Sequence, residues 1–135
     1  MKKIGNTIIE DGIKTFNNLK DRKTVRAVII KNNQVLMLYS KLFDDYTFPG
    51  GGIKNGENME EALKRELYEE LGANTVKIIK EIGYTEEVRF GIKGSDSTYL
   101  QTSYFMLCEI DDIGEPNFVG REKIQGIIPV WVNID

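Results

Sequence analysis

The stretch that decides the fold is residues 50–73, GGGIKNGENMEEALKRELYEELGA. Asn58 followed by Glu61 is typical of a capping box, and Gly72 suits the left-handed residue that ends many helices. The stretch therefore predicts a helix over Met59–Leu71. The glycines ahead of it, together with Pro49, predict an unusual loop that follows a short strand.

The same stretch is strongly acidic, with six carboxylates against three basic side chains. At about 100° per residue, Glu66, Glu69 and Glu70 share one sector of the helix, which overlaps its apolar stripe. The outward sector holds Glu61, Lys64, Arg65 and Tyr68. Like charges at this spacing repel, and more strongly beside a core. The sequence therefore predicts a bound cation beside the three carboxylates.

The chemistry of the ligands restricts which cation this is. The chain has no histidine and a single cysteine, which argues against zinc. Several hard oxygens near one point favour Mg²⁺ or Mn²⁺, and magnesium in proteins often bridges carboxylates to phosphates. A phosphorus-centred reaction is the natural inference, and a calcium-binding or purely structural acidic helix is the alternative.

The flanking sequence is dominated by β-like runs. Asn32 and Asn33 predict a hairpin turn between two of them, because asparagine tolerates positive φ. The predicted strands cover residues 24–30, 34–39, 75–79, 84–90, 99–110 and 127–132, and the N-terminal segment has no clear pattern. Strands on both sides of one helix predict an α+β fold.

The length, net charge and cysteine content of the whole chain restrict these predictions further. Its 135 residues suit a single domain over residues 1–135. The net charge of −3 argues against a partner that is a nucleic-acid polymer. Cys108 lies in an apolar run and has no intrachain partner, which favours a cytoplasmic location, and no apolar run is long enough to predict a membrane span.

The spacing of Gly51, Glu57 and the run RELYEELGA at residues 65–73 resembles the Nudix box. Ala73 departs from the bulkier aliphatic residue usual there, which concerns packing and not chemistry. The resemblance implies a Nudix α/β/α sandwich around a mixed sheet. Such folds commonly add a C-terminal helix, but this sequence stops at Asp135, soon after IIPVWVNI. That helix is either short, absent, or missing from a truncated chain.

The resemblance implies a metal-dependent hydrolase of the diphosphate linkage in a nucleoside diphosphate derivative. Glu66, Glu69 and Glu70 would be metal ligands, and the main-chain carbonyl of Gly50 is a further candidate. Support of the site would come from four residues: Gly51, Glu57, Arg65 and Gly72. Within that set, Glu57 and Arg65 are expected to form an internal ion pair. The alternative is a catalytically weak nucleotide-binding or sensor domain.

The general base and the substrate contacts are less specified. The base is expected to be Glu66, Glu69 or, from outside the box, Glu122, for which a solvated ion pair with Arg121 or Lys123 is an equal alternative. Glu86, Glu87 and Glu109 are weaker candidates. Candidate substrate contacts are Arg26, Lys41, Phe48 and Arg89, although the sequence favours an exposed strand position for each of the three cations and a core position for Phe48. The expected partner is a small nucleotide-type molecule.

A second copy of the chain is a further candidate partner. If no C-terminal helix covers the sheet, apolar surface is left exposed, and a homodimer would bury it.

Overall fold

The computed structural model describes residues 1–13, 19–90, 98–115 and 126–134. In these residues the elements, in chain order, are strands β1 (Ile8–Ile9), β2 (Lys20–Val28), β3 (Ile30–Lys31), β4 (Gln34–Ser40), β5 (Asp45–Thr47) and β6 (Gly50–Gly52), helix α1 (Met59–Leu71), and strands β7 (Val76–Phe90), β8 (Thr98–Ile110) and β9 (Ile127–Asn133). The expected α+β class is confirmed, and α1 is the one helix of the described ranges.

Two sheets form the body of the fold. The larger has five strands in the order β1-β7-β8-β2-β6, with parallel pairing in β1/β7 and β2/β8 and antiparallel pairing elsewhere. The smaller is built on β4, which pairs with β3, β5 and β9, all antiparallel. The larger sheet is therefore mixed, as the family resemblance implies.

The sequence predicts local structure best where one residue type dictates it. Helix α1 has the predicted bounds, with both halves of the capping box formed by Asn58 and Glu61 and with Gly72 at φ 64°. Asn32 and Asn33 have φ of 52° and 59° and join β3 to β4 as the predicted hairpin turn.

Two predictions need correction, and one strand has no prediction from the sequence. The three glycines at residues 50–52 are not a loop but the edge strand β6, which pairs with residues 24–26 of β2. The two strands predicted over residues 75–79 and 84–90 are one strand, β7, with irregularities near Ile78 and Glu81 that shift its register on β8. The N-terminal segment, left without a prediction, adds the parallel strand β1.

One hydrophobic core joins the helix to both sheets. Its fully buried members are Ala62, Leu63, Leu67 and Leu71 of α1, Val25 and Ala27 of β2, and Leu36 of β4. Ala73, the residue that departs from the box, is also buried in this core at 2% exposed. In the described part of the chain, no helix combines the length and apolarity that crossing a membrane requires.

Candidate active site

The glycine strand β6 brings the main chain against two carboxylates of α1. The Gly50 N–H donates to Glu70 Oε1 at 2.8 Å. Glu70 is 3% exposed and Glu66 is 9% exposed, so both lie inside the fold. The predicted position of these carboxylates beside the apolar stripe is confirmed for both.

Glycine is required at two positions of β6. Gly50 has φ 138°, and a Cβ there would lie 2.0 Å from the Val25 carbonyl oxygen. A Cβ on Gly51 would lie 2.6 Å from Glu66 Oε1. Real side chains do not make such contacts, so any larger residue would push the strand or the carboxylate out of place. Because Gly50 and Gly51 have no side chains, the main chain of β6 and Glu66 can lie close together.

Arg65 ties the loop to the helix. Its guanidinium makes two hydrogen bonds to the Glu57 carboxylate, at 2.7 and 3.0 Å, and donates to the Gly52 carbonyl at 2.9 Å. The ion pair implied by the family resemblance is thus present. Helical angle alone placed Arg65 on the solvated face, which is wrong, because its long side chain folds back over the loop and is 22% exposed.

The same guanidinium reaches two carboxylates of the box. Arg65 Nη1 lies 2.9 Å from Glu66 Oε1 and 3.6 Å from Glu69 Oε2. Hydrogen bonds from Arg65 and from the Lys54 N–H hold the pKa of Glu57 at about 2. The hydrogen bond that Arg65 makes to Glu57 raises the pKa of Arg65. Both members of the pair therefore stay charged at neutral pH.

Arg26 supplies a second cation from the opposite side. Its Nη1 donates to the Phe48 carbonyl at 3.1 Å and to the Gly50 carbonyl at 3.0 Å. Burial lowers the pKa of Arg26, while the charges of Glu70 and Glu66 oppose that shift. Arg26 is thus a brace of the loop within electrostatic range of the box carboxylates, a role that the sequence analysis did not assign to it.

The oxygens gathered here are hard ligands of the kind that Mg²⁺ and Mn²⁺ prefer. Two of the carboxylates are buried, and Gly51 leaves room beside one of them, so the donor set fits a divalent ion. Within the described residues, however, no three acidic side chains are already arranged around one point. The carboxylates are instead engaged by protein donors, Gly50 N–H for Glu70 and Arg65 for Glu66.

The other predicted substrate residues are spread more widely. Phe48 is half-buried and packs edge-on against Phe105, with ring centroids 5.6 Å apart. Lys41 and Arg89 are exposed, Lys41 in the loop after β4 and Arg89 on β7 opposite Tyr99. The structure joins Phe48 to the site through its carbonyl and Arg26, and it shows no such link for the two exposed cations among the described residues.

The candidate bases outside the box also separate. Glu122 and its neighbours Arg121 and Lys123 lie outside the described residues. Glu86 pairs with Lys3 at 2.9 Å on β7, and Glu109 is exposed near the far end of β8. Glu87 is half-buried, and its charge acts on Arg26. Of the three weaker candidates, Glu87 alone is thereby connected to the site.

With this geometry in place, comparison with known proteins decides the family. The model of the NUDIX domain matches residues 20–135, most of the chain. The chain belongs to the Nudix family. Nudix hydrolases generally use divalent metal ions, in agreement with the carboxylates gathered beside β6.

Matches to individual proteins are more local. An RNA pyrophosphohydrolase of Psychromonas ingrahamii is 51% identical over 48 residues, which cover 34% of this chain and 26% of that protein. The nucleoside triphosphatase NudI of an Enterobacter species is 36% identical over 75 residues, or 50% of this chain and 53% of the relative. The chain thus spans about half or less of the relatives that it matches.

A solved structure supports the Nudix fold. The structure of a NUDIX hydrolase from Nitrosomonas europaea superimposes with a TM-score of 0.60 at 21% identity, covering 85% of this chain and 74% of that one. This similarity concerns the fold alone. The expected Nudix fold is therefore confirmed, while the expectation that its C-terminal helix is short, absent or missing from a truncated chain stays a prediction.

Proposed function

We propose that this Nudix chain hydrolyses a diphosphate linkage in a nucleoside diphosphate derivative, by attack of water on phosphorus with Mg²⁺ or Mn²⁺ as the metal. The observation that carries the proposal is the burial of Glu66 and Glu70 against the glycine strand, between the guanidinium groups of Arg65 and Arg26. Burying carboxylates is costly, and proteins retain such groups where their charge is used.

Glu66, Glu69 and Glu70, with the Gly50 carbonyl, would hold the ion. When bound, it would neutralise phosphate charge and lower the pKa of a coordinated water. Arg26 and Arg65 fix the loop and the carboxylates, and they limit repulsion between the carboxylates before an ion arrives. Gly51 and Gly72 support the same arrangement, Gly51 by leaving space for Glu66 and Gly72 by ending α1.

Glu69 is the box carboxylate best placed to take a proton from water. Glu70 accepts from Gly50 N–H at 2.8 Å and Glu66 from Arg65 at 2.9 Å, whereas Glu69 approaches Arg65 only to 3.6 Å. A carboxylate held loosely can turn towards a water without losing a strong hydrogen bond. Glu122 stays the candidate from outside the box.

The substrate contacts proposed for this chain start from the loop. Arg26, already bonded to two loop carbonyls, sets the position of the main chain that meets the diphosphate, and Phe48 offers an aromatic edge beside it. Exposed Lys41 and Arg89 can attract anionic substrate by charge, as the sequence analysis proposed.

The proposed partner is a small nucleotide-type molecule and not a nucleic-acid polymer, because the net charge is −3. The name of the Psychromonas relative raises the 5′ end of RNA as a rival substrate class. A cytoplasmic location also stays a proposal, supported by the free, buried Cys108, whose pKa is raised to about 11 by burial.

A homodimer is proposed on a separate observation. The outer face of the smaller sheet is apolar along a cross-strand row made by Tyr46, Tyr39 and Ile128. Tyr46 is 57% exposed and Ile128 is 39% exposed, so the row is open to a partner. Light scattering would measure the mass, and a monomer at all concentrations up to about 100 µM, some hundredfold above micromolar affinity, would reject this proposal.

The function is tested by a substrate screen with either metal. The screen compares nucleoside diphosphate derivatives, nucleoside triphosphates and triphosphorylated RNA, with phosphate and nucleotide products measured directly. We expect turnover of a small nucleotide by the wild type and a loss of about 10²-fold or more in Glu70→Gln. Glu60→Gln, an exposed acid of the same helix, is the matched control and should retain activity.

Two results would contradict the proposal. Turnover confined to triphosphorylated RNA would reject the small-nucleotide class. Tight calorimetric binding of a nucleotide without turnover, equal in the wild type and in Glu70→Gln, would favour the catalytically weak sensor domain instead.

A further inference from the structure

The larger sheet has a polar face that the proposed chemistry does not explain. The hydroxyl of Thr24 donates to Ser103 at 2.7 Å, which places β2 and β8 side chains of this register on one face. Because side chains alternate along a strand, Arg22 and Arg26 share that face with Thr24, and Gln101 shares it with Ser103. The face is therefore polar over two adjacent central strands.

Gln101 is the unsatisfied member of this face. It is 6% exposed, and its Oε1 is a buried side-chain atom without a hydrogen-bond partner, alone in that respect among the described residues. Thr24 and Ser103 lie two residues further along β2 and β8. They are also buried, and they hydrogen-bond to each other. A buried acceptor without a donor destabilises a protein, so its presence calls for an explanation such as a missing ligand.

The residues around Gln101 connect its buried oxygen to solvent and to the proposed reaction site. Gln101 lies between Glu87 of β7 and Arg22 of β2 in one cross-strand row. Glu87 is half-buried and Arg22 is exposed, so the row opens to solvent. Arg22 and Arg26 lie on one face of β2, so this row shares its face with the guanidinium that donates to the Gly50 carbonyl.

The distance along the strand matches one nucleotide. Arg26 pairs with Phe105 and Arg22 with Gln101, so four residues separate the two rows, or roughly 13 Å. With the diphosphate beside Arg26 and the glycine strand, the sugar would lie between the rows and the base would reach Gln101.

We infer that Gln101 is a specificity-determining residue whose Oε1 accepts a hydrogen bond from an exocyclic amino group of the substrate's nucleobase. The inference rests on the proposed function for the position of the diphosphate. An amide oxygen is an acceptor and needs an N–H or O–H donor, and glutamine is a common partner of base amino groups. The base is favoured over the ribose because the sugar is attached directly to the phosphate end.

The test compares each nucleotide that carries an exocyclic amino group with a partner that has an oxo group or a hydrogen in its place. Binding of ADP against IDP, GDP against IDP, and CDP against UDP is measured by calorimetry, and KM and kcat are measured for those pairs that are hydrolysed. We expect the wild type to prefer one amino-bearing member by about tenfold or more. Gln101→Met, similar in length but unable to accept this bond, should abolish the preference through KM or Kd while kcat changes little.

Thermal stability gives a second readout, because the change expected here has the opposite sign to the change expected of a residue with a structural role. Removing an unsatisfied buried acceptor should raise the melting temperature of the free protein by an amount on the order of 5 °C. Ser103→Ala is the matched control, because it breaks a satisfied bond on the same face and should lower the melting temperature. A fall in Gln101→Met would mean that water or protein already satisfies the oxygen, and would overturn the inference.

Three further results would also overturn it: no preference in the wild type, a preference kept in Gln101→Met, or a preference that follows the 2′-hydroxyl in deoxynucleotide controls. The binding measurements separate this inference from the proposed hydrolysis. A chain that binds with the amino preference but hydrolyses nothing would reject the hydrolase and leave the role of Gln101 supported.

Discussion

Helix α1 carries two buried stripes that differ in what their burial requires. Leu63, Leu67 and Leu71 are fully buried, and Glu66 and Glu70 are nearly so. The leucines need only close packing, whereas each carboxylate needs a hydrogen-bond donor. Gly50 supplies one for Glu70, and Arg65 supplies one for Glu66. One stripe therefore depends on shape, and the other depends on the hydrogen-bond donors that the glycine strand and Arg65 supply.

The largest expected effect comes from the apolar stripe. Leu67→Ala should lower the free energy of unfolding by about 2–5 kcal/mol, because it removes packed methyl groups and leaves a cavity. Urea denaturation measures the loss. Tyr68→Ala, next in the chain but 49% exposed, should change stability by no more than about 0.5 kcal/mol. Similar losses in both variants would mean that the leucine stripe is not the packing face.

A smaller effect, on activity, is expected from a substitution beside the carboxylate stripe. Arg26→Gln should reduce kcat/KM by about 10–100-fold, because it removes the charge beside Glu66 and Glu70 and weakens the link to the Gly50 carbonyl. The effect should appear partly as a changed dependence on metal concentration, measured by Mn²⁺ titration. Lys64→Gln, an exposed lysine of α1, is the control and should stay within about twofold. Unchanged metal dependence in Arg26→Gln would separate Arg26 from the carboxylate stripe.

The smallest effect is a pH dependence of stability. The pKa of Glu57 is lowered from 4.5 to about 2 in the folded chain, so its ion pair with Arg65 stabilises the fold above the unfolded-state pKa. The wild type should exceed Glu57→Gln in stability by a constant amount above about pH 5, and the difference should vanish as pH falls towards 2. Thermal unfolding across this range measures it. A difference that grows on acidification would contradict the assigned ion pair.

The sequence was sufficient for the parts of the fold that one residue type dictates. Asn58, Glu61 and Gly72 fix the ends of α1, and the spacing of the leucines fixes which way it faces. The buried positions of Glu66 and Glu70 follow from the same angles. Each of these depends on contacts within one element, which periodicity captures.

What the sequence could not predict depends on contacts between segments. Residues 50–52 look like a loop by composition, but β2 accepts them as a strand because glycine lets the chains approach closely. Arg65 folds away from its helical angle to reach Glu57, and Arg26 turns towards two loop carbonyls. Gln101 gives no signal of its own. It belongs to a run of three polar residues, Gln101, Thr102 and Ser103, and composition does not show which of them face the interior.

The contacts of the glycine strand also bear on the order in which the chain folds. Those joining β6 to α1 and to Arg26 link residues 20 and 24 positions apart, and those of Arg65 span 8 and 13. The Thr24–Ser103 bond on the polar face spans 79. Closing short loops costs less entropy and is faster, so the carboxylate half of the site can assemble early. The half of the site that would bind the base can form only after β2 has paired with β8, which is distant in the sequence.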